Sequence, residues 1–218
     1  MKRILATCAA LLAAFSAHAA DDAFEARFFN TIKSVCPEAV FERTMIADGF
    51  LGAGKLKDVA VVTSCEFSDD QQLLVFREQP DGSYKPVFRS ETWSWENRSE
   101  ISIEFKKNTI VFSEHCAYNC NPESWTSSYK FKLRDKELIL IGEDHSKSVM
   151  SGKNLQNEAS SGTSINYLTD TLIDWWKSTG FGYSEKKSAL KLKAPIALSQ
   201  FNMDNCVLSG SCAKALPR

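Results

Sequence analysis

Ile101-Ser102-Ile103-Glu104-Phe105-Lys106 alternates apolar and polar side chains without a break. Successive side chains of an extended chain point to opposite faces, so Ile101, Ile103 and Phe105 share one face while Ser102, Glu104 and Lys106 share the other. This is the pattern of an antiparallel strand with one dry and one wet face. Lys106-Lys107-Asn108 turns the chain into a second strand over Thr109 to Ser113. Further along, Tyr129, Phe131 and Leu133 alternate with Lys130, Lys132 and Arg134. Asp135-Lys136 then turns into Leu138-Ile139-Leu140-Ile141, a continuous apolar run that predicts a strand covered on both faces. Upstream, three stretches rich in Val, Leu and Phe run from Asp58 to Phe67, Gln71 to Gln79 and Tyr84 to Ser90. The turn-forming segments Ser68-Asp69-Asp70 and Pro80-Asp81-Gly82-Ser83 separate them, which predicts a three-strand meander.

Outside these strands the periodicity changes. Phe24, Phe28, Ile32 and Val35 form an apolar stripe at helical spacing, with Asp22 and Glu25 placed as a capping box and Pro37 as a stop, so residues 20–36 are expected to be an amphipathic helix. Ser146 to Thr163 is dominated by Ser, Gly, Asn and Lys and predicts a long exposed loop. From Ser164 to Trp176 two patterns compete, Leu168, Leu172, Trp175 and Trp176 fitting a helix and Ile165 and Tyr167 a strand. Leu190 and Leu192 interleave with Lys191 and Lys193 before Pro195, the pattern of a charged edge strand. The expected fold is mainly β: one antiparallel sheet, or a partial-propeller or sandwich domain, with a β-meander region over 40–201 and a helix before it.

Composition narrows the class. Hydrophobic residues make up 44% of the 218 and charged residues 24%, which suits a globular chain. Met1-Lys2-Arg3, the apolar stretch Ile4 to Phe15 and the small residues around Ala17 and Ala19 form a three-part signal peptide over 1–19. The mature part, 20–218, is then a single exported domain, expected in the periplasm or secreted. Its balance becomes 24 basic against 27 acidic residues, the wrong sign for a nucleic-acid binder. No later apolar run is long enough for a transmembrane helix. Cys36, Cys65, Cys116, Cys120, Cys206 and Cys212 remain after the leader, an even number that points to disulfides in an oxidising compartment. Six cysteines allow fifteen pairings; proximity favours Cys116 with Cys120 and Cys206 with Cys212, which leaves Cys36 for Cys65.

Several segments carry two resemblances. Gly49-Phe50-Leu51-Gly52-Ala53-Gly54-Lys55-Leu56-Lys57-Asp58-Val59-Ala60-Val61-Val62 resembles the loop and strand of FG-GAP/VCBS-like repeats, in which an acidic calcium loop precedes a buried strand. The segments 128–133, 138–143, 164–169 and 195–201 resemble a group of small exported bacterial β-proteins of mostly uncharacterised function. The resemblance implies a fold and no reaction. Phe50, Gly52 and Gly54 stand where a calcium loop needs oxygen ligands, so the loop is read as a glycine-eased turn with no metal.

Catalytic patterns are missing. There is no serine-hydrolase elbow, no phosphate loop and no dinucleotide fingerprint. Glu114-His115-Cys116 with Cys120 has zinc-ligand chemistry, which the disulfide reading displaces. No cofactor is expected. The aromatic residues offer recognition instead: Trp93 and Trp95 share a face of an extended segment, and Trp125 stands beside Tyr118 and Asn119 of the Cys116 to Cys120 loop. Core packing is the competing reading for Trp93 and Trp95. Lys186, Lys187, Lys191 and Lys193 read as a solvated edge. The expectation is a non-catalytic binding module for another envelope or toxin protein, in concrete form an immunity or inhibitor protein against a periplasm-acting toxin. The alternatives are an envelope hydrolase built around His115 or His145, and a carbohydrate-binding module using Trp93, Trp95 or Trp125.

Overall fold

The computed structural model describes residues 28–40, 45–52, 54–65, 70–94, 99–116, 123–151, 156–178, 182–190, 195–209 and 212. A helix over 28–35, α1, precedes five strands: β1 (Ile46–Gly49), β2 (Asp58–Thr63), β3 (Asp70–Glu78), β4 (Tyr84–Arg89) and β5 (Trp93–Ser94). They form one antiparallel sheet in the order β1-β2-β3-β4, with β5 also pairing with β3. Seven more strands follow: β6 (Glu100–Lys106), β7 (Thr109–Cys116), β8 (Glu123–Arg134), β9 (Glu137–Ser151), β10 (Gln156–Asn166), β11 (Thr171–Ser178) and β12 (Gly182–Ala189). Each pairs with the next to make an open meander. A 3-10 turn at Leu198–Gln200 and a short helix, α2 (Met203–Ser209), close the described chain.

The tight turns follow from local chemistry. Lys107 and Asn108 have φ of 47° and 61°, and Asp135 and Lys136 have 47° and 71°. Two consecutive left-handed residues are what a two-residue hairpin needs to match strand twist. Both β6–β7 and β8–β9 therefore turn where the sequence places them.

Three layers result. Every residue of β2 is buried, because the five-stranded sheet is covered on both sides. On its outer side Phe28 and Ile32 of α1 pack against Val59, Val61, Leu74 and Phe76, with Phe28 edge-on to both Phe76 and Tyr84. The Cys36–Cys65 disulfide fixes the end of this helix to the sheet. Val35, expected on the buried stripe, is 38% exposed, and Cys36 takes its place inside. On the inner side Ala60, Val62, Leu73 and Val75 meet Ile101, Ile103, Ile110, Phe112, Tyr129 and Phe131 of the second sheet. Gly49 lets the sheets approach at the β1–β6 corner: a Cβ there would lie 2.4 Å from the Phe105 ring. Phe201 plugs the gap, its ring 5.0 Å from Tyr129, 5.1 Å from Phe131 and 5.9 Å from Trp93.

Several expectations need correction. Ser146 to Thr163 is no long loop; β9 runs to Ser151 and β10 occupies Gln156–Asn166. Its polarity reflects strands whose described side chains over this stretch pack into neither core cluster. Ser164 to Trp176 is strand, turn and strand, and the helical spacing there arises because Leu168 sits on the turn while β11 is apolar on both faces. Ile139 and Ile141 are only half-buried, so the run Leu138 to Ile141 is covered on one face. The described edge strand is β12 at Gly182–Ala189, every residue of it exposed; Lys191 and Lys193 lie outside the described residues.

Candidate functional site

The seven-stranded sheet outgrows its partner. β6, β7 and the near halves of β8 and β9 cover the core, whereas the substantial contacts of β10, β11 and β12 are all with neighbouring strands of their own sheet. These strands and the far ends of β8 and β9 form a wing. Register assigns its two faces. Directly opposed residues share a face, so one row reads Trp125, Lys147, Ser161 and Trp176 across β8 to β11, and the next reads Ser127, His145, Thr163 and Asp174. The other face carries Ile173 and Trp175 of β11 with Tyr183, Glu185 and Lys187 of β12. Trp175 lies over Gly162, where a Cβ would be 2.6 Å from its ring and 2.3 Å from the His145 carbonyl oxygen. Only glycine admits both contacts.

A groove of about 350 Å³ opens on the first face, lined by Trp125, Ser127, His145, Lys147, Ser161 and Thr163 among others. That volume lies at the small end of ligand sites. Lys147 is paired with Glu123 at 2.5 Å, and Thr163 donates to Asp174 at 2.8 Å. Below the groove His145 is held at both nitrogens, with Nδ1 3.0 Å from the Ser127 hydroxyl and Nε2 3.1 Å from Glu143. Glu143 is wholly buried. It also accepts from the Tyr167 hydroxyl and, on both oxygens, from the Cys212 backbone N–H at 3.2 Å. The carboxylate thus ties the disulfide-closed C-terminal segment, Cys206–Cys212, to the root of the wing.

Burial perturbs the neighbours. It drives the Tyr129 phenol far above its ordinary range, with the Glu143 and Glu114 carboxylates adding to the effect. Among the described residues its hydroxyl has no hydrogen-bond partner of normal geometry, and the Ser127 hydroxyl offsets the shift only in part. Glu114 is held above the ordinary glutamate range by burial, which the Ser99 hydroxyl partly offsets and the Asp204 charge reinforces.

The residues singled out in the sequence separate here. Trp93 is 1% exposed, with its ring 5.5 Å from that of Phe112, so it belongs to the core and offers no surface to a partner. Trp125 lines the groove. Trp95, Tyr118, Asn119 and Cys120 lie outside the described residues. Cys36–Cys65 and Cys206–Cys212 are bridged, and Cys116 is disulfide-bonded as well. His115 bonds the Thr126 hydroxyl on the exposed face at 2.7 Å, away from the groove. Asp58 accepts from the Leu51 N–H at 2.9 Å and from Arg77 at 2.8 Å, closing the glycine-rich turn from within. Among the described residues no group of three or more His, Cys, Asp or Glu is placed to hold a metal ion, and no helix is long and apolar enough to cross a membrane. Sequence reading missed Trp176, Glu143 and Ser127. Only cross-strand register reveals that Trp176 shares a row with Trp125.

No known protein family matches the chain, no curated protein is significantly similar to it, and no solved structure significantly matches its fold.

Proposed function

We propose that the protein is an exported recognition module whose wing docks another envelope or toxin protein, as an immunity or inhibitor protein would. One observation carries this reading: β11 bears Leu172 and Trp176 on one face and Ile173 and Trp175 on the other, and none of the four is buried. A strand that is apolar on both faces is ordinarily covered on both. Ile173, Trp175 and Tyr183, ringed by Glu185, Lys187 and Lys177, have the aromatic-centred, charge-rimmed composition of an interface. Disulfides stiffen the body that carries the wing, which lowers the ordering cost of association. The resemblance to small exported β-proteins fits the same role. Crosslinked copurification from intact envelopes tests it: a partner retained by the parent and lost with Ile173→Asp or Tyr183→Asp supports the reading, and a protein that captures nothing and protects against no toxin rejects it.

A second reading, an envelope hydrolase, has one observation in its favour: Ser127, His145 and Glu143 stand in the order hydroxyl, imidazole, carboxylate at hydrogen-bond distances. Glu143 is already engaged by Tyr167 and Cys212, and Ser127 is 6% exposed, which favours a structural role. Labelling of Ser127 by a fluorophosphonate probe would establish the hydrolase, and an unlabelled serine would remove it.

A further inference from the structure

The groove face of the wing is built differently from the Ile173 face. Two indoles stand at the ends of one row, Trp125 half-buried on β8 and Trp176, 40% exposed, on β11. The intervening positions, Lys147 and Ser161, are polar, and so is the neighbouring row through His145 and Thr163. Three inter-strand spacings separate the tryptophan backbones, about 14 Å measured across the sheet. The floor between them is charge-balanced, because Lys147 is paired with Glu123 and Asp174 stands opposite Lys186 on β12 while accepting from Thr163. A charged ligand gains little from such a floor. An uncharged ligand with hydroxyls along its edges and apolar C–H faces gains from both the hydroxyl-rich base and the two rings.

We propose that this trough binds a straight, β-linked oligosaccharide lying across the strands, its terminal sugar rings stacked on Trp125 and Trp176. In such a glycan the equatorial substituents leave each ring with a flat C–H face, and the chain extends as a ribbon that a flat sheet can follow. The trough length accommodates about four rings, one on each indole and two between. Ser161 and Thr163 face the central rings with hydroxyl groups, while His145, engaged at both nitrogens, offers only its ring edge. This proposal rests on the wing being a recognition surface, and it assigns the groove face to a glycan while the Ile173 face docks protein.

Titration calorimetry and tryptophan fluorescence with cellotetraose and chitotetraose, using maltotetraose as a curved control, test it on the intact protein. Saturable binding of either straight tetramer is expected, weakened by about tenfold or more in Trp176→Ala and for the matching disaccharide, which cannot reach both rings. Trp176 is 40% exposed and belongs to neither core cluster, so its variant remains informative if Trp125→Ala fails to fold. Ile173→Asp, on the opposite face, keeps the sugar affinity of the parent. Failure of both straight tetramers to bind, equal binding of maltotetraose, or unchanged affinity in Trp176→Ala would overturn the proposal. Loss of protein capture with Ile173→Asp alongside absent sugar binding overturns the glycan site and leaves the docking reading standing.

Discussion

Removing the Cys36–Cys65 bridge by Cys36→Ala with Cys65→Ala isolates what holds α1 to the five-stranded sheet. The bridge closes a loop with a sequence separation of 29, whereas Cys206–Cys212 closes one of 6. On the chain-entropy account the long loop contributes about 3.6 kcal/mol and the short one about 2.3 kcal/mol. For a chain of this size those values correspond to falls in Tm of roughly 7–14 °C and 5–9 °C. Each variant deletes sulfur atoms from a buried position, Cys36 being fully buried and Cys206 and Cys212 nearly so, so the cavity contributions are comparable and the loop lengths set the order. Circular dichroism melts of both double variants at neutral pH, with the other bridges intact, measure the difference directly. A Cys36/Cys65 variant that melts within 3 °C of the parent, or above the Cys206/Cys212 variant, would show that loop length does not set the order and place the anchorage of α1 in Phe28 and Ile32 alone.

Other outcomes follow from burial and charge. Trp93→Ala costs roughly 3–5 kcal/mol of unfolding free energy, since the ring fills the space between Phe112 and Phe201, while Trp176→Ala, outside the core clusters, costs no more than about 1 kcal/mol, both measured by denaturant unfolding. Glu114 binds its proton more tightly folded than unfolded, so it weakens the fold as pH rises from the ordinary glutamate range through its raised folded value. Glu114→Gln therefore raises Tm at pH 7 and leaves it nearly unchanged at about pH 3, below the ordinary glutamate range, where both states hold the proton. Gly162→Ala forces a Cβ against the His145 carbonyl and the Trp175 ring, and amide hydrogen exchange should show β10 and β11 opening more readily while β2 and β3 keep their protection.

How much the sequence revealed depended on whether a core lay beneath it. Ile101 to Lys106 and Tyr129 to Arg134 alternate because one face meets the opposing sheet and the other meets water, and both strands fell where the period placed them. β2 and β3 read clearly because cover on both sides demands apolar residues throughout. The wing defeated the same logic. β10 pairs along its length through backbone hydrogen bonds that leave no trace in side-chain period, and its Ser and Gly content resembles a loop. β11 imitated a helix because apolar residues on both faces fall at mixed spacings. At the groove, Trp125 stood out by its type, but Ser127, Glu143, His145 and Trp176 gained meaning only from register, which joins residues up to fifty-one positions apart. Trp93 illustrates the opposite limit: residue type alone does not separate an anchor in a core from an anchor for a partner.

The docking role proposed for the wing makes partner contact at Ile173 and Tyr183 the decisive observation. Photocrosslinking in intact cells, with a photoreactive residue placed in turn at Ile173, Tyr183, Glu104 and Val87, tests it directly. A discrete protein adduct is expected from Ile173 and Tyr183 and none from Glu104 on the solvent face of β6 or Val87 on β4. Adducts confined to Glu104 or Val87, or none at any of the four, would contradict it.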